Sequence, residues 1–346
     1  MYIRSLLFAI ILLSACSPNA GYDRFQTQQT GYFDSFIIFT GYAQSEEDFT
    51  QYADILFDKL SELHRQFDIF NSYEGVNNLY YINANAGLYP VVADQVLIDM
   101  LMAAQEAYRL TMGRTNVAMG SVLRIWHKYR TAESLEYKSL PSMDALLAAS
   151  LTINMEDIII DPENNTVFFK EPDLSLDVGS IAKGYAAGLA MEAVARAGIH
   201  AALLNAGGHI VAYGKPPGRD TWNIGIQNPE LYENAPSTID TLSFTNASLS
   251  VSGGYKRYFE VNGLTFGHII DPDTLMPANR FKQVAVWHPS SWMADVLSTA
   301  LFILPLEEGY QLITGTGGEA FWICTDGKWT GTQGYKEMSA GFGDDA

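Results

Sequence analysis

The sequence predicts an α+β fold, a single domain of antiparallel sheets packed with helices. Strand-like runs come in pairs around tight-turn residues: "IIIDPENNTVFFK" brackets Pro162-Glu163-Asn164-Asn165, and "FEVNGLTFG" brackets Asn262-Gly263. Helical apolar periodicity recurs between such pairs. Strand and helix do not alternate one for one, as a doubly wound parallel sheet requires. The 346 residues, 48% hydrophobic and 17% charged, suffice for a large core, and no repeat, low-complexity tract or long linker divides them. The formal charge of −18, with no run of Lys or Arg to offset it, excludes a nucleic-acid backbone as partner.

At the N-terminus, "MYIRSLLFAIILLSAC" has Arg4, an apolar run from Leu6 to Leu13 and then small residues. That is the pattern of a secretory signal, too short to span a bilayer. Its end, Leu13-Ser14-Ala15-Cys16, resembles a bacterial lipobox. Residues 1–15 then form the signal peptide, and Cys16 is lipidated and anchors the chain to a membrane outside the cytoplasm. An ordinary signal cleaved nearby, or an uncleaved anchor, is the alternative. Cys324 alone remains in the mature chain, so no intrachain disulfide forms; in "FWICT" it reads as a buried strand residue. Residues 16–30 are polar and aperiodic and read as a flexible tether. The domain is expected over residues 31–340.

Along the domain, residues 33–43 are strand-like. A helix follows, opened by Ser45 and acidic residues, with Phe49, Leu56, Leu60, Leu63 and Phe67 among the apolar positions at helical spacing. A second helix is expected over residues 94–110, loops and a short helix through "TMGRTNVAMGSVLRIWHKY", and a short helix in "PSMDALLAAS". Two strands flank the turn at residues 162–165, and "LSLDV" reads as a third. "IAKGYAAGLAMEAVARAG" is a helix ended by Gly198. "AALLNAGGHIVAYG" is strand, glycine break, strand. "MADVLSTALFIL" reads as the last helix and "GEAFWICTDGKWTGT" as the final hairpin.

Several stretches can carry chemistry. In "LDVGSIAKGYAAG" a strand ends at Asp177-Val178, a Gly-Ser turn follows, and a helix begins near Ile181. Such a helix start offers backbone N–H groups to anions, with Gly179 admitting close approach and Lys183 adding a counter-charge. A plain turn with Ser180 as N-cap and Lys183 on the surface accounts for the same residues. The stretch is not a P-loop, because Lys183 precedes Gly184. Asp295 and Thr299, four apart, share a helical face; a carboxylate with a hydroxyl suits a hard cation such as Mg²⁺. They serve equally as a helix-start carboxylate and a hydroxyl bonded back to its own helix. His268 stands at a strand end beside a turn, a usable acid or base or a structural residue. The adjacent Gly207 and Gly208 mark a close approach or a bulge. Tyr73, a loop aromatic, stacks on a ligand or merely packs. His64, His127 and His288 lack metal-ligand spacing and read as structural.

Together these pieces resemble the ApbE family of FAD:protein FMN transferases. The matching segments are "YFDSFI", "FNSYEGVNNLYYIN", "LDVGSIAKGYAAG", "LLNAGGHI", "SVSGGYKRYF", "HIIDPDTLMPAN" and "ADVLSTALF", in the family's order and over nearly all of the mature chain. The resemblance implies FAD as substrate in a cleft with Mg²⁺. It implies attachment of FMN through a phosphoester to a Thr or Ser of an acceptor flavoprotein of the electron-transport type, with release of AMP. It makes Asp295, Thr299 and the carbonyl of Ser180 the metal ligands. Asp177 and Lys183 become nucleotide contacts, Tyr73 a border of the FAD site, and His268 a neighbour of the reacting phosphate with Ile269 beside it. Arg114, Thr115 and Asn116 become lining of the adenine pocket. Two positions depart from the family: His209 stands where Asp is usual, and Leu275 where Gly is usual. Two other activities would use the same cleft: a Mg²⁺-dependent FAD pyrophosphatase giving FMN and AMP, and a non-catalytic, lipid-anchored flavin carrier.

Overall fold

The computed structural model describes residues 21–131, 139–230, 236–254, 258–261 and 263–341. Cys16, the signal segment 1–15 and Asn262 of the expected turn lie outside the described residues. The chain opens with a hairpin of β1 (Asp23–Tyr32) and β2 (Ser35–Ala43). Residues 23–30, expected as tether, are therefore part of the domain. The polar run "DRFQTQQTGY" pairs throughout with β2 while turning only Phe25 and Thr27 fully inward. An edge strand buries little, so its sequence carries little apolar signal.

Helix α1 (Glu46–Phe67) starts where Ser45 accepts a hydrogen bond from the N–H of Asp48, with Glu46, Glu47 and Asp48 in the first turn. The short helix α2 (Leu79–Ala84) is capped by Asn78. The small strand β3 (Val91–Val92) leads into α3 (Gln95–Leu110), capped by Asp94. Next come α4 (Gly120–Thr131), α5 (Met143–Ala149) and the hairpin of β4 (Ile158–Asp161) and β5 (Thr166–Phe169), which joins β3 in a three-stranded sheet. "LSLDV" does not extend that sheet. Its one bridge is parallel, Ser175 to Met119. Its remaining polar groups are met elsewhere: the side chain of Asn83 brackets Leu176, the carbonyl of Val117 accepts from the N–H of Asp177, and the N–H of Gly120 donates to Ser175.

The second half holds α6 (Ala182–Arg196), β6 (Ala201–Ala206), β7 (His209–Tyr213), the hairpin of β8 (Trp222–Gln227) and β9 (Thr238–Phe244), and β10 (Ala247–Gly253). A small hairpin of β11 (Tyr258–Val261) and β12 (Leu264–Gly267) precedes β13 (Phe281–His288) and α7 (Ser291–Ile303). Expected as the last helix, α7 is followed by α8 (Leu306–Thr316), and α9 (Gln333–Met338) lies beyond the hairpin of β14 (Glu319–Cys324) and β15 (Trp329–Gly331). Cys324 ends β14 partly exposed rather than buried.

One eight-stranded sheet organises the domain, in the order β1-β2-β6-β7-β10-β13-β14-β15, antiparallel at every pairing. Helices α1, α6 and α7 pack side by side along one face, each against successive strands. The β8–β9 hairpin covers the other face with Trp222, Ile224, Ile226, Leu242 and Phe244, and Tyr335 of α9 stands beside them. Strand side chains alternate between the layers. Ala202 and Leu204 face the helices while Ala201 faces the hairpin; Trp322 and Phe321 divide in the same way. This sandwich fixes α6 against α7, and the site lies at that contact.

Candidate functional site

Gly184 lets the two helices close on each other. A Cβ there would stand 2.5 Å from Cβ of Asp295 and 2.8 Å from the carbonyl oxygen of Ser291. Asp295 therefore enters the first turn of α6. Its Oδ2 accepts from the N–H of Gly184 at 2.8 Å, and its Oδ1 from Nζ of Lys183 at 3.1 Å and Oγ of Ser250 at 3.2 Å. Ser298, one turn along α7, ties Ser250 and Ser252 to the same corner. Asp295 is 3% exposed. Burial alone would raise its pKa; the Lys183 ammonium, then His209 and the Gly184 N–H, outweigh burial and hold the carboxyl below its ordinary range. Lys183 is thus neither the surface residue nor the free counter-charge its position in the sequence allowed.

His209, at the start of β7, is buried beside this carboxylate, its Nδ1 3.9 Å from Oδ1 of Asp295. Its Nε2 meets Oγ of Ser291 at 2.8 Å, and that hydroxyl donates to the carbonyl of Gly184 at 2.7 Å. Burial pushes its pKa down to about 4, against the pull of Asp295 and with the help of Lys183, so the ring is neutral at pH 7. Thr299 borders the same space, with its hydroxyl 3.4 Å from the carbonyl of Asp295.

These groups floor a cleft of about 680 Å³, within the roughly 300–1,000 Å³ of small-molecule and cofactor sites. The structure brings Arg114, Thr115, Asn116, Asp177, Ser180, Lys183, His268, Ile269, Asp295 and Thr299 to its lining. Tyr73 is not in the lining: its hydroxyl donates at 2.8 Å to Asp68, which is. Burial and that bond raise the Tyr73 pKa to about 12. Asp68 also accepts from the N–H groups of Phe70 and Asn71, so it shapes the loop after α1 at the cleft wall. Asp177 accepts from the N–H of Gly179 at 2.9 Å; burial pushes its pKa up, against that bond and the charges of His127 and Arg130.

Two sequence expectations change, both at the start of α6. The start of α6 is not an open anion cradle, because the N–H groups of Ile181 and Ala182 donate to the carbonyl of Val178 and that of Gly184 to Asp295. Ser180 does not cap α6; Ile181 holds the N-cap position with no side-chain bond. Thr115 and Asn116 spend their polar atoms on the protein, Thr115 on Thr111 and Asn116 on Ile153 and Ala118. Arg114 pairs with Asp271 at 3.6 Å and with Asp273, tying its loop to the one after His268. There Leu275 has φ +59°, in the left-handed region, while its side chain is buried and its carbonyl accepts from Nε1 of Trp126. The sequence reading missed Gly184, Ser250 and Ser291 as site residues. Only helical spacing, which puts Ser291 one turn before Asp295, carried any signal for them.

The donor set fits a divalent cation. It offers the Asp295 carboxylate, the Thr299 hydroxyl and a buried Nδ1 of His209 with no hydrogen-bond partner. Among the described residues no group of three or more His, Cys, Asp and Glu side chains gathers to hold a metal. Hydroxyl, carbonyl and substrate oxygens would supply the rest, as suits Mg²⁺.

The ApbE family matches this chain over residues 37–322. A Klebsiella pneumoniae (strain 342) protein named FAD:protein FMN transferase is 28% identical over 253 residues, 71% of this chain and 76% of that protein. One of the same name from Treponema pallidum (strain Nichols) is 29% identical over 279 residues, 76% of this chain and 75% of that protein. The crystal structure of the ApbE protein from Thermotoga maritima superposes with a TM-score of 0.79 at 23% identity, covering 92% of this chain and 99% of that one. The flavin transferase ApbE from Vibrio cholerae gives 0.78 at 21% identity, covering 92% and 99%. The two structures establish the fold as theirs, and with the match over residues 37–322 the chain belongs to the ApbE family.

Proposed function

We propose that this chain is a FAD:protein FMN transferase. An acceptor-protein Thr or Ser hydroxyl attacks the FMN-side phosphorus of FAD, the new phosphoester forms, the pyrophosphate P–O bond breaks, and AMP leaves. The observation that carries this reading is the buried Asp295 carboxylate. It is kept ionised at the floor of a dinucleotide-sized cleft, in a chain whose relatives bear that name.

Asp295 and Thr299, with the Ser180 carbonyl, are the groups that would hold Mg²⁺. When bound, the ion supplies charge neutralisation for the pyrophosphate and for the leaving oxygen. Lys183 places a second positive charge at the same point, held in direction by Asp295. Asp177, beside Gly179, borders the nucleotide. His268 lines the cleft and takes the hydroxyl proton, a modest contribution because a loose phosphoryl-transfer transition state needs little base assistance. Lipidated Cys16 places the enzyme on a membrane outside the cytoplasm, facing electron-transport flavoproteins.

The test is to incubate the protein with FAD, Mg²⁺ and an acceptor domain containing a Thr or Ser attachment site, and to weigh the acceptor. A mass increase of one FMN with equimolar AMP is expected. Free FMN with AMP and an unmodified acceptor would make the chain a pyrophosphatase. FAD bound without AMP release would make it a carrier.

A further inference from the structure

Nδ1 of His209 is an orphaned atom beside the Asp295 carboxylate. His209 is 1% exposed, and Nδ1 has no hydrogen-bond partner. Buried polar atoms are almost always satisfied, so an orphan needs a cause. His288 engages both ring nitrogens, Nδ1 with Ser290 and Nε2 with Thr316, whereas His209 engages only Nε2. The Ser291 hydroxyl has a single proton and donates it to the carbonyl of Gly184 at 2.7 Å. The 2.8 Å contact with Nε2 must then be a donation from the ring to Ser291. That fixes the tautomer with its proton on Nε2 and leaves the lone pair on Nδ1. His209 is among the residues lining the cleft, and its buried Nδ1 lies 3.9 Å from Oδ1 of Asp295. Metal-binding imidazoles are arranged in this way, one nitrogen tied to an oriented acceptor and the other presented bare.

We propose that Nδ1 of His209 is a ligand of the divalent cation in this cleft, making it a mixed nitrogen–oxygen site that prefers Mn²⁺ to Mg²⁺. The proposal rests on the reading of Asp295 and Thr299 as the oxygen donors. Neighbouring ligands of one ion with bonds of ~2.1 Å lie about 3 Å apart, so the 3.9 Å separation closes with a shift of under ~1 Å. Imidazole nitrogen favours first-row transition ions, whereas Mg²⁺ selects oxygen. Lys183, Ser250 and the N–H of Gly184 are the other groups on the Asp295 carboxylate, and all three donate to it.

The experiment uses the purified full chain and the metal ions alone, without FAD. Calorimetry should give Mn²⁺ binding roughly tenfold or more tighter than Mg²⁺. His209→Gln, whose amide can still donate to Ser291, should collapse that ratio, and His209→Asp should turn it toward Mg²⁺. Circular dichroism checks the fold of both variants. Independently of any variant, electron spin-echo modulation of the Mn²⁺-loaded chain labelled with ¹⁵N-histidine should show histidine nitrogen coupling. No such coupling, or an unchanged ratio in folded His209→Gln, overturns the proposal and leaves the oxygen site standing. Failure of both ions to bind overturns the cation site as well.

Discussion

Two adjacent residues of α6 grip both oxygens of one carboxylate on α7: Nζ of Lys183 lies 3.1 Å from Oδ1 of Asp295, and the N–H of Gly184 lies 2.8 Å from its Oδ2. The pair joins residues 112 apart in sequence. The stretch "AKG" thereby becomes the counterpart of "ADVLST". Lys183 keeps the carboxylate ionised despite burial, and a divalent ion entering the site meets a carboxylate already charged.

Asp295→Asn retains an acceptor for the Gly184 N–H and removes the charge. FMN addition should fall by about a hundredfold or more, the scale of losing a preorganised electrostatic group, and the melting temperature should fall as well, because the amide NH2 then faces the donors Lys183 and Ser250. Asp295→Ala should lose transfer and, in addition, about 1–3 kcal/mol of stability, because the Gly184 N–H loses its acceptor in the interior. Acceptor mass and thermal melts separate the two effects. Transfer at the wild-type rate in Asp295→Asn refutes the role of its charge.

Lys183→Met removes the principal influence that lowers the Asp295 pKa. A depressed carboxyl contributes stability above its unfolded pKa, and that contribution is lost as pH falls through the folded pKa. Without Lys183 the folded pKa rises, so the loss begins at higher pH. Urea midpoints measured between about pH 6 and pH 3 should show the acid limb of Lys183→Met displaced upward. Superimposed limbs would mean that Lys183 does not govern Asp295.

Gly184→Ala sets helix propensity against packing. Alanine gains about 1 kcal/mol in a helix. Its Cβ, however, meets Asp295 Cβ at 2.5 Å and Ser291 carbonyl oxygen at 2.8 Å, neither of which is a flexible side-chain end. Overpacking costs of ~1–3 kcal/mol, or more at so short a distance, win. The variant should melt lower and lose transfer, because α7 carries Asp295 away from Lys183. Gly315→Ala is the control: it is helical with nothing within 4 Å of an added Cβ, and should melt slightly higher.

The elements legible in the sequence were those whose signal is local. Ser45 and Asp94 cap the helices they were expected to open, and the glycines at 207 and 208 break β6 from β7. The β8–β9 hairpin passed unread although Trp222, Ile224 and Ile226 alternate plainly, as a half-buried strand requires. "LSLDV" misled because its apolar alternation is real but is buried against Asn83 and residues 117–120 instead of a sheet. In the site, Asp295 and Thr299 were readable from helical spacing. The Lys183–Asp295 pair and the orphaned Nδ1 of His209 were not, since each depends on how α6, α7 and β7 meet across long stretches of chain.

Leu275 tests the backbone of the loop after His268. A non-glycine residue in the left-handed region costs ~1–2 kcal/mol, and burying a leucine is worth more: Leu→Ala changes in cores cost ~2–5 kcal/mol. Leu275→Gly should therefore destabilise, since Leu275 packs with Trp126, Val122 and Ile270. Leu275→Ala should be worse still by about 1 kcal/mol, because alanine loses the packing and keeps the strain. Glycine outranking alanine at a buried leucine reverses the usual order. Finding alanine the more stable in urea titrations would exclude φ +59° at this position.

His209 also gives the metal-free protein an acid-sensitive point. Its pKa is about 4 in the folded chain against an ordinary 6.5, lowered first by burial, with Asp295 opposing and Lys183 adding. Above pH 6.5 the ring is neutral folded or unfolded, and titration contributes nothing. As pH falls from 6.5 toward 4 the unfolded chain takes up the proton while the folded chain resists it, so stability drops. Across that window the loss is on the order of 3 kcal/mol, from 1.36 kcal/mol per pKa unit. His209→Gln keeps a donor toward Ser291 but does not titrate. In chelator its urea midpoint should fall less than that of the wild type over the same window, with the two curves parallel above it. Parallel curves throughout would mean that the ring is not held neutral by burial; below the window both chains lose stability as Asp295 takes up its proton.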